Sequence, residues 1–172
     1  KPSSAASDVY KRQVPGGMFP AGYNNAYRII QIPGHVVILY EMIHETRVIP
    51  VDNSSHLPPT VRQWNGDSRG RWEGDTLVVE SRNFTDKTRF QGSTEALRVI
   101  ERFTRVADAT ILYEFTVEDP SAWTQPWSVE IPMLKTEGPM YEYACHEGNY
   151  DVAHILEIAR NLELQQAAEG TK

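Results

Sequence analysis

Between Thr110 and Glu118 the side chains alternate with period two, Ile111, Tyr113, Phe115 and Val117 against Leu112, Glu114, Thr116 and Glu118. Successive side chains of a strand point to opposite faces, so this stripe specifies a half-buried β-strand and excludes an amphipathic helix. The same grammar recurs along the chain. Tyr27 to Ile32 and Val36 to Ile43 flank Pro33-Gly34, and Thr46 to Val51 reads as their antiparallel continuation. Arg71-Trp72 and Thr76 to Glu80 flank Glu73-Gly74-Asp75, while Leu97 to Val106 and the Thr110 run flank Ala107-Asp108-Ala109. Trp127 to Met133 and Met140 to His146 are separated by Thr136-Glu137-Gly138-Pro139. Short β-rich runs punctuated this regularly predict a mainly β protein of about eight or nine antiparallel strands. The closed form is a lipocalin-like or calycin-like β-barrel, and the open form is a sandwich. No helical segment falls between strands, which excludes a doubly wound parallel sheet.

Val36 to Ile43 is apolar on both alternating faces, as expected of a strand in the middle of a sheet. Residues 14–25, rich in Gly, Pro and Asn, read as loop, and residues 26–150 hold the β domain. One helix follows over residues 151–166. Asp151 can cap it, and Val152, Ile155, Leu156, Ala159 and Leu162 recur at helical spacing, a stripe suited to packing on the barrel. The polar residues 167–172 are expected to fray.

Composition narrows the partners. Hydrophobic residues make up 40% of the 172 residues and aromatics 10%, enough for a packed core. The net charge is −6, and basic residues alternate with acids, as in Glu101, Arg102 and Arg105, rather than clustering. Phosphate backbones and anionic membranes need clustered Lys and Arg, so neither nucleic acid nor membrane is expected as a partner. The longest apolar run, Val36 to Tyr40, is strand-sized. A small-molecule ligand or substrate remains, for a monomer or homodimer. Cys145 stands alone, so no intrachain disulfide or thiolate zinc cluster can form.

No phosphate-cradling Gly-rich loop, nucleophile elbow or zinc-protease helix motif occurs, and no organic cofactor is implied. What remains is ionisable groups planted in apolar strands. Glu41 interrupts a strand otherwise buried on both faces, where a carboxylate needs a partner or a raised pKa. By alternation Glu41 and Glu45 share a face with Ile43 and Arg47, and His44 faces the other way with Tyr40. The plain reading is a buried Glu–Arg pair that fixes register. The functional reading is a carboxylate or imidazole aimed into a cavity.

In Tyr141 to Tyr150, Glu142 and His146 share a face opposite Tyr143 and Cys145, a carboxylate and imidazole suited to acid–base work or metal ligation. Asp67 and Arg69, in a Gly-bounded loop between Trp64 and Trp72, could hold a carboxylate or a sugar hydroxyl, or simply form a turn anchored by tryptophan. Asn83 to Thr88 reads as a surface loop with local side-chain hydrogen bonds. Glu101 and Arg105 share a face with Phe103 and could complete a charge network with Glu41 or Glu142.

The runs Gly22 to Asn25, Val37 to His44, Gly66 to Glu80, Asn83 to Thr88, Glu101 to Val106, Tyr113 to Pro120 and Tyr141 to Tyr150 together resemble a family of uncharacterised bacterial proteins, over about Pro20 to Arg160. Many members carry secretion signals, so the resemblance implies a periplasmic or secreted protein of bacterial origin, with further sequence upstream in longer relatives. It implies no reaction. Residues 1–13 resemble a peptide translated from sequencing-adaptor DNA in metagenomic gene models, which would place the native start near Val14.

These observations lead first to a cofactor-free acid–base enzyme, a lyase, isomerase or hydratase, with its site in the barrel interior. His146 and Glu142 would be the acid–base pair, with Glu41 and His44 as further catalytic candidates. Arg69 or Arg105 would hold an anionic group, Tyr40 or Tyr143 would donate to an oxyanion, and Arg47, Asp67, Trp72 and Glu101 would complete the substrate contacts. The alternatives are a non-catalytic binding protein for a hydrophobic or aromatic ligand, and a metal-dependent enzyme with His44, Glu142 and His146 as ligands.

Overall fold

The computed structural model describes residues 18–20, 24–88, 90–143 and 150–169, apart from the side chains of residues 152 and 167–169. The chain divides into two compact units, one running to Glu142 and one beginning at Tyr143.

The first unit holds two antiparallel sheets. β1 (Tyr27–Ile32), β2 (His35–Tyr40) and β3 (Thr46–Pro50) form a three-stranded sheet in chain order. β4 (Asp67–Glu73), β5 (Thr76–Arg82), β6 (Arg98–Ala107), β7 (Thr110–Glu118) and β8 (Trp127–Leu134) form a five-stranded meander. Among the described residues the ladder passes neither from β3 to β4 nor from β8 back to β1, so the eight strands make two sheets with free edges.

Local chemistry accounts for two of the hairpins. Glu73 pairs with Thr76, and Gly74 between them takes φ +60°, as the first central residue of a primed hairpin turn must. Ala107 pairs with Thr110, and the register slips between Arg105 and Ala107, a bulge that ends the regular ladder of β6. The expected stripe of β7 buries Tyr113, Phe115 and Val117. β2 lies mid-sheet, with Val36, Ile38 and Tyr40 buried and Val37 and Leu39 half-buried.

One core joins the inner faces of both sheets. Val36, Ile38 and Ile49 from the small sheet meet Leu77, Val79, Val99, Phe103, Tyr113, Phe115 and Val117 from the large one. Phe19 and Phe90 from loops stack with Trp127 at the start of β8, at centroid distances of 5.7 (Phe19–Phe90), 6.4 (Phe19–Trp127) and 5.9 Å (Phe90–Trp127), with Phe115 edge-on to all three. The outer face of the large sheet carries a ladder of charges, Arg71–Glu73–Arg102 and Arg82–Glu80–Arg98–Glu118. Burial would raise the Glu80 carboxyl, but hydrogen bonds from Arg98 and Arg82 pull it down to about 2.

Several expectations need correction. The strand begun at Val36 stops at Tyr40, because Met42–His44 is a short 3₁₀ turn, so alternation does not run through Glu41 to Arg47. Asp67 and Arg69 lie within β4 rather than in a loop. Asn83 to Thr88 is not a surface loop throughout, since Phe84 and Thr88 are fully buried, although Thr85 and Thr88 do share a local hydrogen bond of 3.2 Å. Residues 140–143 of the expected Met140–His146 strand are not in a ladder, and the rest lies outside the described residues.

The second unit contains helix α1 (Asp151–Glu169). It continues past residue 166, because Gln165 to Glu169 are good helix formers with no breaker before Gly170. Asp151 stands in its first turn, where a carboxylate favours the helix dipole. Ile155, Leu156 and Leu162 of its apolar stripe are exposed. No described helix is long and apolar enough to cross a membrane.

Candidate functional site

Glu101 sits mid-strand on the inner face of β6, 1% exposed, between Val79 of β5 and Phe115 of β7. A lone carboxylate there would be strongly destabilising, and the opposite sheet supplies its partner. Arg47 of β3 donates from Nη1 to Oε1 (3.0 Å) and from Nη2 to Oε2 (2.6 Å), a two-pronged ion pair. Tyr113 donates to Oε1 at 2.9 Å. The guanidinium also reaches the Tyr40 hydroxyl (3.0 Å) and the serines Ser68 and Ser81 (3.1 and 3.2 Å), which face each other across β4 and β5 at 2.8 Å. Arg47 Nε has no acceptor among the described residues.

The electrostatics follow from this enclosure. Burial disfavours a charged guanidinium, yet Glu101 and Tyr40 outweigh it and hold Arg47 protonated well above the ordinary arginine value. Burial, then the Glu101 charge, pushes the Tyr113 hydroxyl well above the tyrosine range. Burial raises Tyr40 too, with Arg47 opposing and Glu101 reinforcing. Each hydroxyl is thereby fixed as a neutral hydrogen-bonding group. Of the expected site residues, the structure brings together Tyr40, Arg47 and Glu101. The buried Glu–Arg pair exists, but its acid is Glu101 rather than Glu41.

Glu41 does something else. Its carboxylate accepts the backbone N–H of Tyr141 (2.6 Å) and that of Ala26 (3.2 Å), while its own N–H donates to Ala26 O (2.9 Å). Tyr40 N–H to Glu45 O (2.8 Å) closes the adjoining turn. Inside it Ile43 and His44 hold φ of +55° and +52°, a left-handed region that costs a β-branched residue about 1–2 kcal/mol. The Glu41 clamp over-determines that turn, and His44 is carried on its exposed side.

Asp67 is a further buried carboxylate, on the outer side of edge strand β4. Its Oδ2 accepts Leu57 N–H (2.8 Å) and lies 2.8 Å from His56 Nδ1, and its Oδ1 accepts Arg69 Nη1 (2.6 Å). Arg69 Nε donates to Ser55 O (2.9 Å), and Asn83 Nδ2 to Leu57 O (2.9 Å). Loop 51–60 is thus pinned over β4 and shields an otherwise open sheet edge. His56 was not singled out with Asp67 from sequence; the eleven-residue separation crosses a proline-rich loop with no readable register.

The other expected residues are dispersed. Trp72 and Arg105 are exposed, and Arg105 turns back onto Ala107 O and Asp108 (3.4 and 3.1 Å). Glu142 is exposed, Tyr143 opens the second unit, and His146 and Cys145 lie outside the described residues. Among the described residues no three His, Cys, Asp or Glu side chains converge in a way that could hold a metal ion.

One concavity has no counterpart among the expected site residues. A cleft of about 620 Å³ opens between the free edges of β1 and β8, closed below by the β6–β7 hairpin. Its apolar wall is Tyr27, Ile29, Ile111, Ile131 and Met133, inner-face residues that pack on the core but stay partly exposed. Beneath it a cavity of about 10 Å³ shares Tyr27, Ile29 and Met133 and reaches Tyr40, Glu101 and Tyr113.

Compared with protein-family models, curated proteins and solved structures, the chain finds no match.

Proposed function

We propose that this chain is a small-molecule binding module that takes an apolar organic ligand in the cleft between β1 and β8. The observation that carries this reading is the cleft, whose 620 Å³ falls within the roughly 300–1,000 Å³ of sites for drug-sized ligands. Ile38, Ile49, Phe115 and Val117 elsewhere on the inner faces are buried. Here apolar side chains at two free edges meet solvent, and a ligand would withdraw that surface from water. The finer description of the fold that goes with this reading is a two-layer sandwich with one open side, not a closed lipocalin-like barrel with an interior cavity. The resemblance to secreted bacterial proteins belongs with these proposals and supplies no reaction.

The test is titration of the full chain with the neutral dye Nile red. Saturable one-site fluorescence enhancement is expected, and Ile131→Trp, which fills the wall, should abolish it while leaving cooperative thermal unfolding. No saturable binding, or binding indifferent to Ile131→Trp, counts against the reading.

A second reading, acid–base catalysis of the lyase, isomerase or hydratase kind, is favoured by one observation. The cleft floor is also the wall of the small cavity that reaches Glu101 and Tyr113. It stands second because both Glu101 oxygens already accept hydrogen bonds, three in all from Arg47 and Tyr113, so a proton taken from a ligand would have to displace one of them. Under this reading a folded Glu101→Gln variant loses turnover of any substrate found for the cleft, and unchanged turnover removes Glu101 from the chemistry.

A further inference from the structure

The rim of the cleft is as specific as its wall. Arg28 on β1, Arg105 at the bulge of β6 and Lys135 just past β8 all line it, so three separate elements each bring a cation to one opening. The arrangement is tied by backbone: Lys135 N–H donates to Ala109 O at 2.8 Å, joining the end of β8 to the β6–β7 turn. Among the described lining residues the one acid, Asp108, already lies 3.6 Å from Arg105. Arg28 and Lys135 have no ion-pair or hydrogen-bond partner for their side chains among the described residues, whereas the cations of the outer sheet face are paired with glutamates. In a chain of net charge −6, a cleft whose described lining holds three cations and one acid is a local reversal of sign.

We infer that the ligand of this cleft is an amphipathic organic anion, its apolar body against Ile29, Ile111, Ile131 and Met133 and its carboxylate at the rim between Arg28 and Lys135. The inference rests on the binding reading above and names the ligand class for the same cleft. An apolar wall alone would accept a neutral molecule equally well. Unpaired cations at the mouth add charge-assisted hydrogen bonds that only an anionic head can use, and they steer it on approach. The long stems of Arg28 and Lys135 let the charges stay hydrated at the surface while the head group docks.

Full-length protein is titrated by calorimetry with decanoate, decanol and inorganic phosphate in low salt. Decanoate is expected to bind at one site about tenfold more tightly than decanol, with phosphate far weaker than either. Replacing Arg28 and Lys135 together, as Arg28→Gln with Lys135→Gln, should remove that tenfold preference and leave decanol affinity and thermal unfolding unchanged. Equal binding of decanoate and decanol would overturn the anionic class while leaving the apolar cleft intact. Phosphate binding as tight as decanoate would overturn the amphipathic class, and binding of none of the three would overturn both the inference and the reading beneath it.

Discussion

The Arg47 guanidinium and the Glu101 carboxylate meet at 2.6 Å in the middle of the core, one from each sheet. Because the pair spans the two layers, it selects which inner faces oppose each other. Either charge alone is a buried, uncompensated ion. Arg47→Met should therefore cost about 3–5 kcal/mol in urea-unfolding free energy, whereas Arg47→Met combined with Glu101→Leu should cost less than either single change. Additive losses in that cycle would show that the two residues do not act as a pair.

The same enclosure sets the behaviour at high pH. Burial and the Glu101 charge hold the Tyr113 hydroxyl well above its ordinary value of 10, and burial does the same for Tyr40. A group whose pKa is raised on folding contributes stability that is complete below the unfolded value and lost as pH climbs toward the folded one. Stability should be flat up to about pH 10 and fall above it. In an alkaline ultraviolet titration of the eight tyrosines, Tyr40 and Tyr113 should ionise only as the fold is lost, and Tyr113→Phe should reduce that late step. Complete ionisation near pH 10 with near-ultraviolet dichroism retained would contradict the buried assignment.

How much of this could be read beforehand depended on the range of the interaction. Strands followed from alternation and turn chemistry, both local, so β6 and β7 appear with nearly the expected limits around Asp108-Ala109. The burial of Glu101 was likewise written in its neighbours Val99 and Phe103. Its partner was not, because Arg47 lies 54 residues away in another sheet, and no local signal says which faces will oppose. The turn at Glu41 was hidden for a different reason. It contains neither Gly nor Pro and forces Ile43 into a conformation its own propensity opposes, held there by Glu41's reach to Tyr141, 100 residues on. The cleft exists only where two sheets fail to join, a tertiary property that no single strand encodes.

Asp67 is expected to act as the anchor of loop 51–60. Its carboxylate serves the Leu57 N–H, His56 and Arg69 at once, so Asp67→Ala leaves three part-buried partners without their acceptor. A stability loss of about 2–3 kcal/mol is expected. The distinguishing readout is hydrogen exchange: protection of the Leu57 amide should collapse while amides of β6 and β7 exchange in proportion to global stability alone. Retained protection at Leu57 would show that the loop is held by something other than Asp67.

Gly70 marks where the end of β3 crosses onto β4. A methyl group built at that position would lie 2.8 Å from Val51 Cγ1 and 3.0 Å from Ile49 Cγ2, and Ile49 is fully buried. Its backbone is ordinary strand, so the requirement for glycine is one of space and not of φ. Val51 is only half-buried and can yield, but Ile49 cannot move without disturbing the core. Gly70→Ala should therefore destabilise by about 1–3 kcal/mol through overpacking. Pairing it with Val51→Ala should recover part of that loss, because the nearer of the two contacts is removed. If Gly70→Ala alone leaves the denaturation midpoint unchanged, the two sheets do not approach each other as closely at this edge as the packing of β3 on β4 requires.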